Sequence, residues 1–254
     1  MKFENTYVYG FWSAIHGMRM PMKSFAKSDS ELASSPADAA FLMTDEGFAL
    51  GEKDKELAQR LIGSGPEHCK FLRDIGVWTD VTMPQYVASE FDTYRIGTTR
   101  NSSSFMHLGM KNEFVWKDFD IKHPIVAKLL DAYPDYFTEG APHIDSVRNV
   151  ASLNNDSEDI VGDYIWWVNT IRHLNQLRDK YLETKDNTIF ERIREELPSG
   201  YKYTFSWFAN YAVLRNMYFQ RRYHRLTDWS IDFVKWIESL PYSKELIMYE
   251  KENR

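Results

Sequence analysis

Four groups of side chains in this 254-residue sequence are of types that could do chemistry. In the first, Tyr94-Arg95 precedes the polar run Ile96-Gly-Thr-Thr-Arg-Asn-Ser-Ser-Ser104, so a cation, hydroxyls and free backbone amides follow a helix end. Those groups suit a phosphate. Taken alone, the run also reads as a solvated loop rich in turn formers. The second group, Arg221-Arg222-Tyr223-His224-Arg225, closes an amphipathic segment. It offers an anion site, but cations also gather at helix C-termini to meet the macrodipole, and the two readings carry equal weight. The third is Pro66-Glu67-His68, where a lone histidine is more often a cap or a packed ring than a catalyst. The fourth, Arg194 before Leu197-Pro198, ordinarily reads as a surface arginine on a helix.

Other chemistries find no support. The sequence contains no GxSxG elbow, no GxGxxG, no Walker-type loop and no HExxH, and its seven histidines lack ligand spacing, so no metal is expected. Cys69 is the only cysteine, which excludes an intrachain disulfide and a cysteine metal cluster and fits a reducing compartment. Neighbours on one element point apart, so His68 and Cys69 do not read as a catalytic dyad.

The formal net charge of −6 argues against a nucleic-acid polymer as partner, yet leaves room for a local basic pocket. Aromatic residues make up 15% of the chain, more flat apolar surface than a minimal core needs, and some of it could meet subunits or planar ligands. Met1-Lys-Phe-Glu-Asn5 lacks the basic and apolar regions of a signal peptide, and no apolar run is long enough to span a bilayer. The expectation is a cytoplasmic protein with no membrane partner.

The elements that must position these residues follow from periodicity. Strands are predicted at Thr6 to Gly10 and at Phe41 to Gly51, the latter folded at Asp45-Glu46-Gly47. Between them, Gly17 to Lys27 reads as an irregular surface loop or lid. Leu57, Leu61 and Ile62 predict a helix from Lys53 to Ile62, stopped by Gly63-Ser64-Gly65. Alternation of Ile75, Val77, Thr79, Val81 and Met83 predicts a strand, after which Pro84 opens a helix to about Thr93 and the chain enters a polar loop. Helices are predicted at Ile125 to Ala132, about Asp159 to Leu182, Thr188 to Glu196, Phe205 to Gln220 and Asp228 to Ser239. The buried face of the fourth would hold Phe208, Tyr211, Leu214 and Tyr218. With no repeat and no linker, residues 1–254 read as one α+β domain with a largely helical second half. Lys111 to Asp156 is rich in aromatic residues and histidine but yields no motif.

The order and spacing of these signals resemble the flavin-dependent thymidylate synthases. That family carries a glycine-histidine element, a strand, an Ala-Pro helix start, an RHR-x7-S signature, a Leu-Pro break, an Asn-bearing helix and a catalytic arginine. Here Glu67-His68, Met83-Pro84, Thr93-Tyr94-Arg95 and Ser103 fall at family spacing. So do Arg194, Leu197-Pro198, Asn210 and Arg221, with Trp229 following after one inserted residue. The resemblance implies a small antiparallel sheet, FAD as cofactor, and a pyrimidine deoxynucleotide as substrate that gains a one-carbon unit at C5. It also implies NADPH, methylenetetrahydrofolate and a homotetramer. His68, Tyr94, Arg95 and Asn210 would lie at the flavin. Ser103, Ser104, Arg194 and Arg221 would hold the nucleotide, with Arg221 and Ser103 catalytic.

The departures bear on function. Thr93 and Tyr94 replace the first two residues of RHR, Asn101 replaces a glutamate, and Ser104-Phe105 stand where the family has glycine and a phosphate-binding arginine. Phenylalanine cannot make a bidentate clamp. Either Arg100, Arg19 or Lys23 compensates, or the ligand differs, a base other than uracil being consistent with Asn101. The competing expectation is a non-catalytic relative that binds a nucleotide or a partner on the same scaffold. A third is a flavoprotein with unrelated reductive chemistry.

Overall fold

The computed structural model describes residues 1–32, 47–105, 110–134 and 157–251. Its strands are β1 (Lys2–Tyr9), β2 (Glu31–Leu32), β3 (Phe48–Ala49), β4 (Gly76–Pro84), β5 (Thr98–Ser102) and β6 (Lys202–Asn210). Its helices are α1 (Phe11–Arg19), α2 (Glu52–Ile62), α3 (Gln85–Phe91), α4 (Pro124–Ala132), α5 (Ser157–Thr184), α6 (Asn187–Glu196), α7 (Tyr211–Arg221), α8 (Val234–Ser239) and α9 (Ser243–Leu246). The combination is α+β with a small antiparallel sheet, as expected. Among the described residues no helix is long and apolar enough to cross a membrane.

The chain divides into two compact units. The first comprises Met1–Thr82, Ser89–Ser102 and Thr204–Arg254, and the second Met83–Ala88 and Ser103–Tyr203. In the first, four strands hydrogen-bond in the order β1-β4-β6-β5, while β2 and β3 form a separate pair. The alternation read from the sequence is the sheet's inner face: Val77, Thr79 and Val81 of β4 are buried, as are Phe205, Trp207 and Ala209 of β6. Aromatic rings cover that face, with Phe91 4.5 Å from Trp207 and stacked 5.8 Å from Trp229. Gly10 lets β1 turn directly into α1, since its φ is +99° and a Cβ there would lie 2.1 Å from the carbonyl oxygen of Asp74.

Three elements differ from the sequence expectation. Phe205 to Gln220 is not one helix, because β6 runs to Asn210 and α7 begins only at Tyr211. Phe208 is therefore a strand residue that packs on Trp78 at 5.1 Å, and the helical spacing to Tyr211 was fortuitous. The polar run after Arg95 is not a loop throughout. Thr98–Ser102 pairs antiparallel with Phe205–Ala209 and forms the sheet's edge, where polar residues face solvent on one side of the ladder. Gly17 to Lys27 is not an irregular lid. It completes α1 and continues as 3₁₀ turns at Met20–Met22 and Phe25–Lys27. Buried Arg19 donates from Nε to Asp54 at 2.5 Å, and Asp54 also accepts from Ser28 Oγ at 2.6 Å and Ser30 N at 3.0 Å. The expected strand from Phe41 lies outside the described residues up to residue 46, with Gly47, at φ +82°, leading into β3.

In the second unit, α5 and α6 enclose Phe114, Phe119, Ile171, Leu174 and Ile193. Arg178, also buried, donates to the carbonyls of Met110 at 3.2 Å and Lys111 at 3.3 Å, fixing the turn before Phe114. Of the stretch from Lys111 to Asp156, the described part holds a 3₁₀ turn at Trp116–Asp118 and α4.

Candidate functional site

The length of α7 decides where Arg221 stands. Asn210 caps the helix, its Oδ1 accepting from Val213 N at 3.0 Å, and three turns later the helix ends at Arg221. The Arg221 guanidinium donates from Nε to Tyr94 Oη at 2.8 Å and forms an ion pair with Glu90 at 2.7 Å. It also lies over the rings of Trp229, 4.7 Å from the centroid, and of Tyr94, at 5.5 Å. The same Glu90 oxygen accepts from Trp229 Nε1 at 2.9 Å and stands 3.5 Å from His224 Nε2. The Tyr94 hydroxyl in turn donates a hydrogen bond to Gln220 Oε1 at 2.8 Å. Two segments more than a hundred residues apart thus meet in one half-buried network of a cation, a carboxylate, a phenol and an indole. Glu90 is the member that sequence reasoning missed. No local signal marked it, since it sits in the last turn of α3 and Tyr94 lies beyond that helix.

Beside Tyr94 a recess of about 270 Å³ is lined by Phe91, Asp92, Tyr94, Arg95, Thr98, Arg100 and Trp207. Neither of its arginines points free charge into it. Arg95 is exposed and donates to the Asp92 carbonyl at 3.1 Å, while Arg100 pairs with Asp92 at 2.5 Å and stacks on Phe205 at 4.1 Å.

His68 stands elsewhere in the same unit, on the wall of a cleft of about 1100 Å³. It is half exposed and 3.5 Å from the Glu67 carboxylate. The cleft lies among the end of α1, the 3₁₀ turns that follow it, α2 and the 3₁₀ turn Lys70–Arg73. Lys53, Leu57, Arg60 and Leu61 recur at helical spacing and present one face of α2 to it.

Comparison with known proteins gives the fold a precedent. No protein-family model matches the chain, and no curated protein matches it by sequence. Among solved structures, the flavin-dependent thymidylate synthase ThyX from Helicobacter pylori complexed with FAD and dUMP aligns with 97% of this chain and 98% of its own, at 16% identity and a TM-score of 0.59. A second Helicobacter pylori ThyX structure with FAD and dUMP covers 97% of each chain at 16% identity and a TM-score of 0.58. The chain has the ThyX fold.

Within the ThyX fold the expected site residues distribute between the units. His68, Tyr94, Arg95, Asn210 and Arg221 belong to the first, where Tyr94 and Arg221 are in direct contact. Asn210 is buried and engaged as the helix cap, its amide group lying against Gly97. Ser103, Ser104 and Arg194 belong to the second. Both serines are exposed just past the end of β5. Arg194 donates to Tyr203 Oη at 3.2 Å and lies 4.7 Å over the ring of Phe105. Phe105 itself packs edge-on to Tyr201 at 5.5 Å and beside Phe114 at 6.3 Å. Where the resemblance expects an anion clamp, this chain has an aromatic cluster. Burial raises the Tyr201 phenol to about 12, with the nearby Asp118 adding to the shift. Of the cations offered as compensation, Arg19 is buried against Asp54, Arg100 is bound to Asp92, and Lys23 is exposed.

Proposed function

We propose that this chain is a divergent flavin-dependent enzyme acting on a pyrimidine deoxynucleotide, transferring a one-carbon unit to C5 of dUMP or a related nucleotide. The observation that carries the reading is the contact between Tyr94 and Arg221. It joins the two sequence blocks that resemble the flavin-dependent thymidylate synthases, in a fold shared with structures that hold FAD and dUMP. Arg221 is the group suited to the pyrimidine. A guanidinium beside a ring carbonyl stabilises the negative charge that develops there when a nucleophile adds to the ring. Ser103 and Ser104 offer hydroxyls to the nucleotide, and Arg194 a cation. The residues at hand fit FAD: the cleft that holds His68 has the volume for a dinucleotide and joins cationic walls to the apolar side chains Met18, Leu57 and Leu61. Bound there, FAD would supply the hydride chemistry, with NADPH and methylenetetrahydrofolate as the reductant and carbon donor of that scheme. A homotetramer accords with this reading.

A second reading, a nucleotide-binding protein without turnover, draws on two observations. Glu90 already neutralises Arg221, and Phe105 fills the place of a phosphate-binding arginine. Visible spectra of the purified protein with and without FAD separate the two, together with mass spectrometry of dUMP and dCMP incubated with FAD, NADPH and methylenetetrahydrofolate. The enzyme reading expects about one flavin per subunit and a nucleotide heavier by one carbon unit. Bound nucleotide of unchanged mass in a colourless protein overturns it in favour of the second.

A further inference from the structure

The second unit carries a groove of about 560 Å³ along one face of α5. Val168, Ile171, Asn175 and Asp179 recur there at helical spacing. The segment from Glu113 to Lys117 makes a wall, and Asp131 at the end of α4 lines the groove as well. Polar groups fix that wall. Phe114 N donates to Asn175 Oδ1 at 2.7 Å, Asn175 Nδ2 donates back to the Phe114 carbonyl at 2.9 Å, and Val115 N donates to Asp118 at 2.9 Å. Backbone anchored in this way keeps its shape, so a guest meets a preformed site. Much of the surface on offer is apolar. Val115, 48% exposed, and the half-buried Trp116 stand with Val168 and Ile171 in the lining. An exposed valine beside an indole is unfavourably hydrated, and a flat apolar guest relieves it. Charge narrows the guest further. Asp131 pairs with Lys117 at 3.2 Å and Asp179 with Arg178 at 2.8 Å, while Arg172 has a partner of its own. Glu113 is exposed and forms no ion pair among the described residues. The described lining thus offers one unanswered carboxylate beside apolar surface, and no unanswered cation. Trp116 already takes a cation on its ring, with Lys117 Nζ 5.2 Å from the centroid.

We infer that this groove binds an aromatic monoamine, its ring against Val115, Trp116 and Ile171 and its single ammonium group at the Glu113 carboxylate. The volume of about 560 Å³ lies within the range of small-molecule sites. Among the described residues no histidine, cysteine or hydroxyl side chain lines the groove, so it is a place of binding and not of reaction. All its described residues belong to the second unit, whereas Arg221 and the cleft beside His68 belong to the first, and the inference stands whether or not the chain binds flavin or nucleotide.

The test measures binding to the full chain by calorimetry with three indoles that share a ring and differ in charge: tryptamine, its alcohol analogue tryptophol, and indole-3-propionate. Tryptamine is expected to bind with a dissociation constant below about 1 mM, tryptophol about threefold more weakly, and the anionic propionate about tenfold more weakly. This ranking in the wild type needs no variant and so does not depend on how one folds. Glu113→Gln should weaken tryptamine about threefold and leave tryptophol unchanged, which also shows that the groove is intact in the variant. Val115→Lys places a second cation at the wall and should weaken tryptamine more than about tenfold. Absence of tryptamine binding overturns the site. Equal affinity for the three indoles overturns the role of Glu113, and tryptamine binding that neither substitution changes places the ligand elsewhere and overturns the assignment.

Discussion

The Arg221 side chain is held by three neighbours, Tyr94, Glu90 and Trp229, and Glu90 is the one that carries the opposing charge. A guanidinium paired with a carboxylate at 2.7 Å attracts a pyrimidine carbonyl less than a free one, because the carbonyl oxygen meets Glu90 as well. Glu90→Gln keeps the shape and removes the charge. The expected outcome is a loss of about 1 kcal/mol in chemical denaturation, modest because the pair is partly solvated, together with dUMP binding tightened about fivefold in calorimetry. Unchanged or weaker nucleotide binding would show that Glu90 positions Arg221 without competing for it. Tyr94, Arg221 and His68 stand out in the sequence because their types and spacing carry chemistry. Glu90 does not, since a glutamate on a short helix is indistinguishable from surface until its partner is known. The same limit hid the fate of Arg95 and Arg100, whose guanidinium groups are taken up by Asp92, a residue that no motif singles out.

Among the elements, the segment from Arg19 to Ser30 shows how a stretch without periodicity is nevertheless fixed. Glycine, proline and polar residues suggested a lid, but the order comes from one buried carboxylate on α2 that no local pattern reveals. Burial pushes the Asp54 carboxyl upward, and hydrogen bonds from Ser28, Ser30 and Arg19 outweigh it, so the net displacement is downward from 3.8. A depressed carboxylate stabilises the fold above its unfolded value, and that contribution disappears as pH falls through the folded one. Asp54→Asn leaves Arg19 buried without a counter-charge and is expected to cost about 3 kcal/mol in urea denaturation, with the difference from wild type shrinking in acid below pH 3.8. Tyr201 has the opposite sign. Raised from 10.0 to about 12, its phenol stabilises the fold fully below pH 10 and ceases to as pH climbs toward the folded value. Tyr201→Phe should therefore flatten the alkaline arm of a stability–pH curve measured between those limits. The helices around these residues were legible from apolar spacing and glycine stops. At β6 both periods coexist, since Phe205, Trp207 and Ala209 alternate while Phe208, Tyr211, Leu214 and Tyr218 keep helical spacing, and only the cap at Asn210 marks the change.

For the molecule as a whole, the order of weak signals along the chain carried the fold where no single motif could, and the likeness to ThyX spans 97% of it. Assembly follows the same reading. Light scattering of the purified protein should give a mass of four subunits, and a monomer would remove the homotetramer that the resemblance implies. The strand order β1-β4-β6-β5 has a further consequence in time. Strand β6 lies between β4 and β5, and the side chains of Thr82 on β4 and Thr204 on β6, which meet in a hydrogen bond, are 122 residues apart in sequence. A ribosome has therefore released β1, β4 and β5 long before the strand that joins them exists. Until then Val77, Val81 and their ladder groups wait with an open edge, and closure carries the entropy of a very long loop. Refolding should be slow, with a phase in which near-ultraviolet signal from Trp207 and Trp229 lags behind helix formation. In the cell, the nascent chain is exposed to chaperones and to aggregation until its last fifth has emerged.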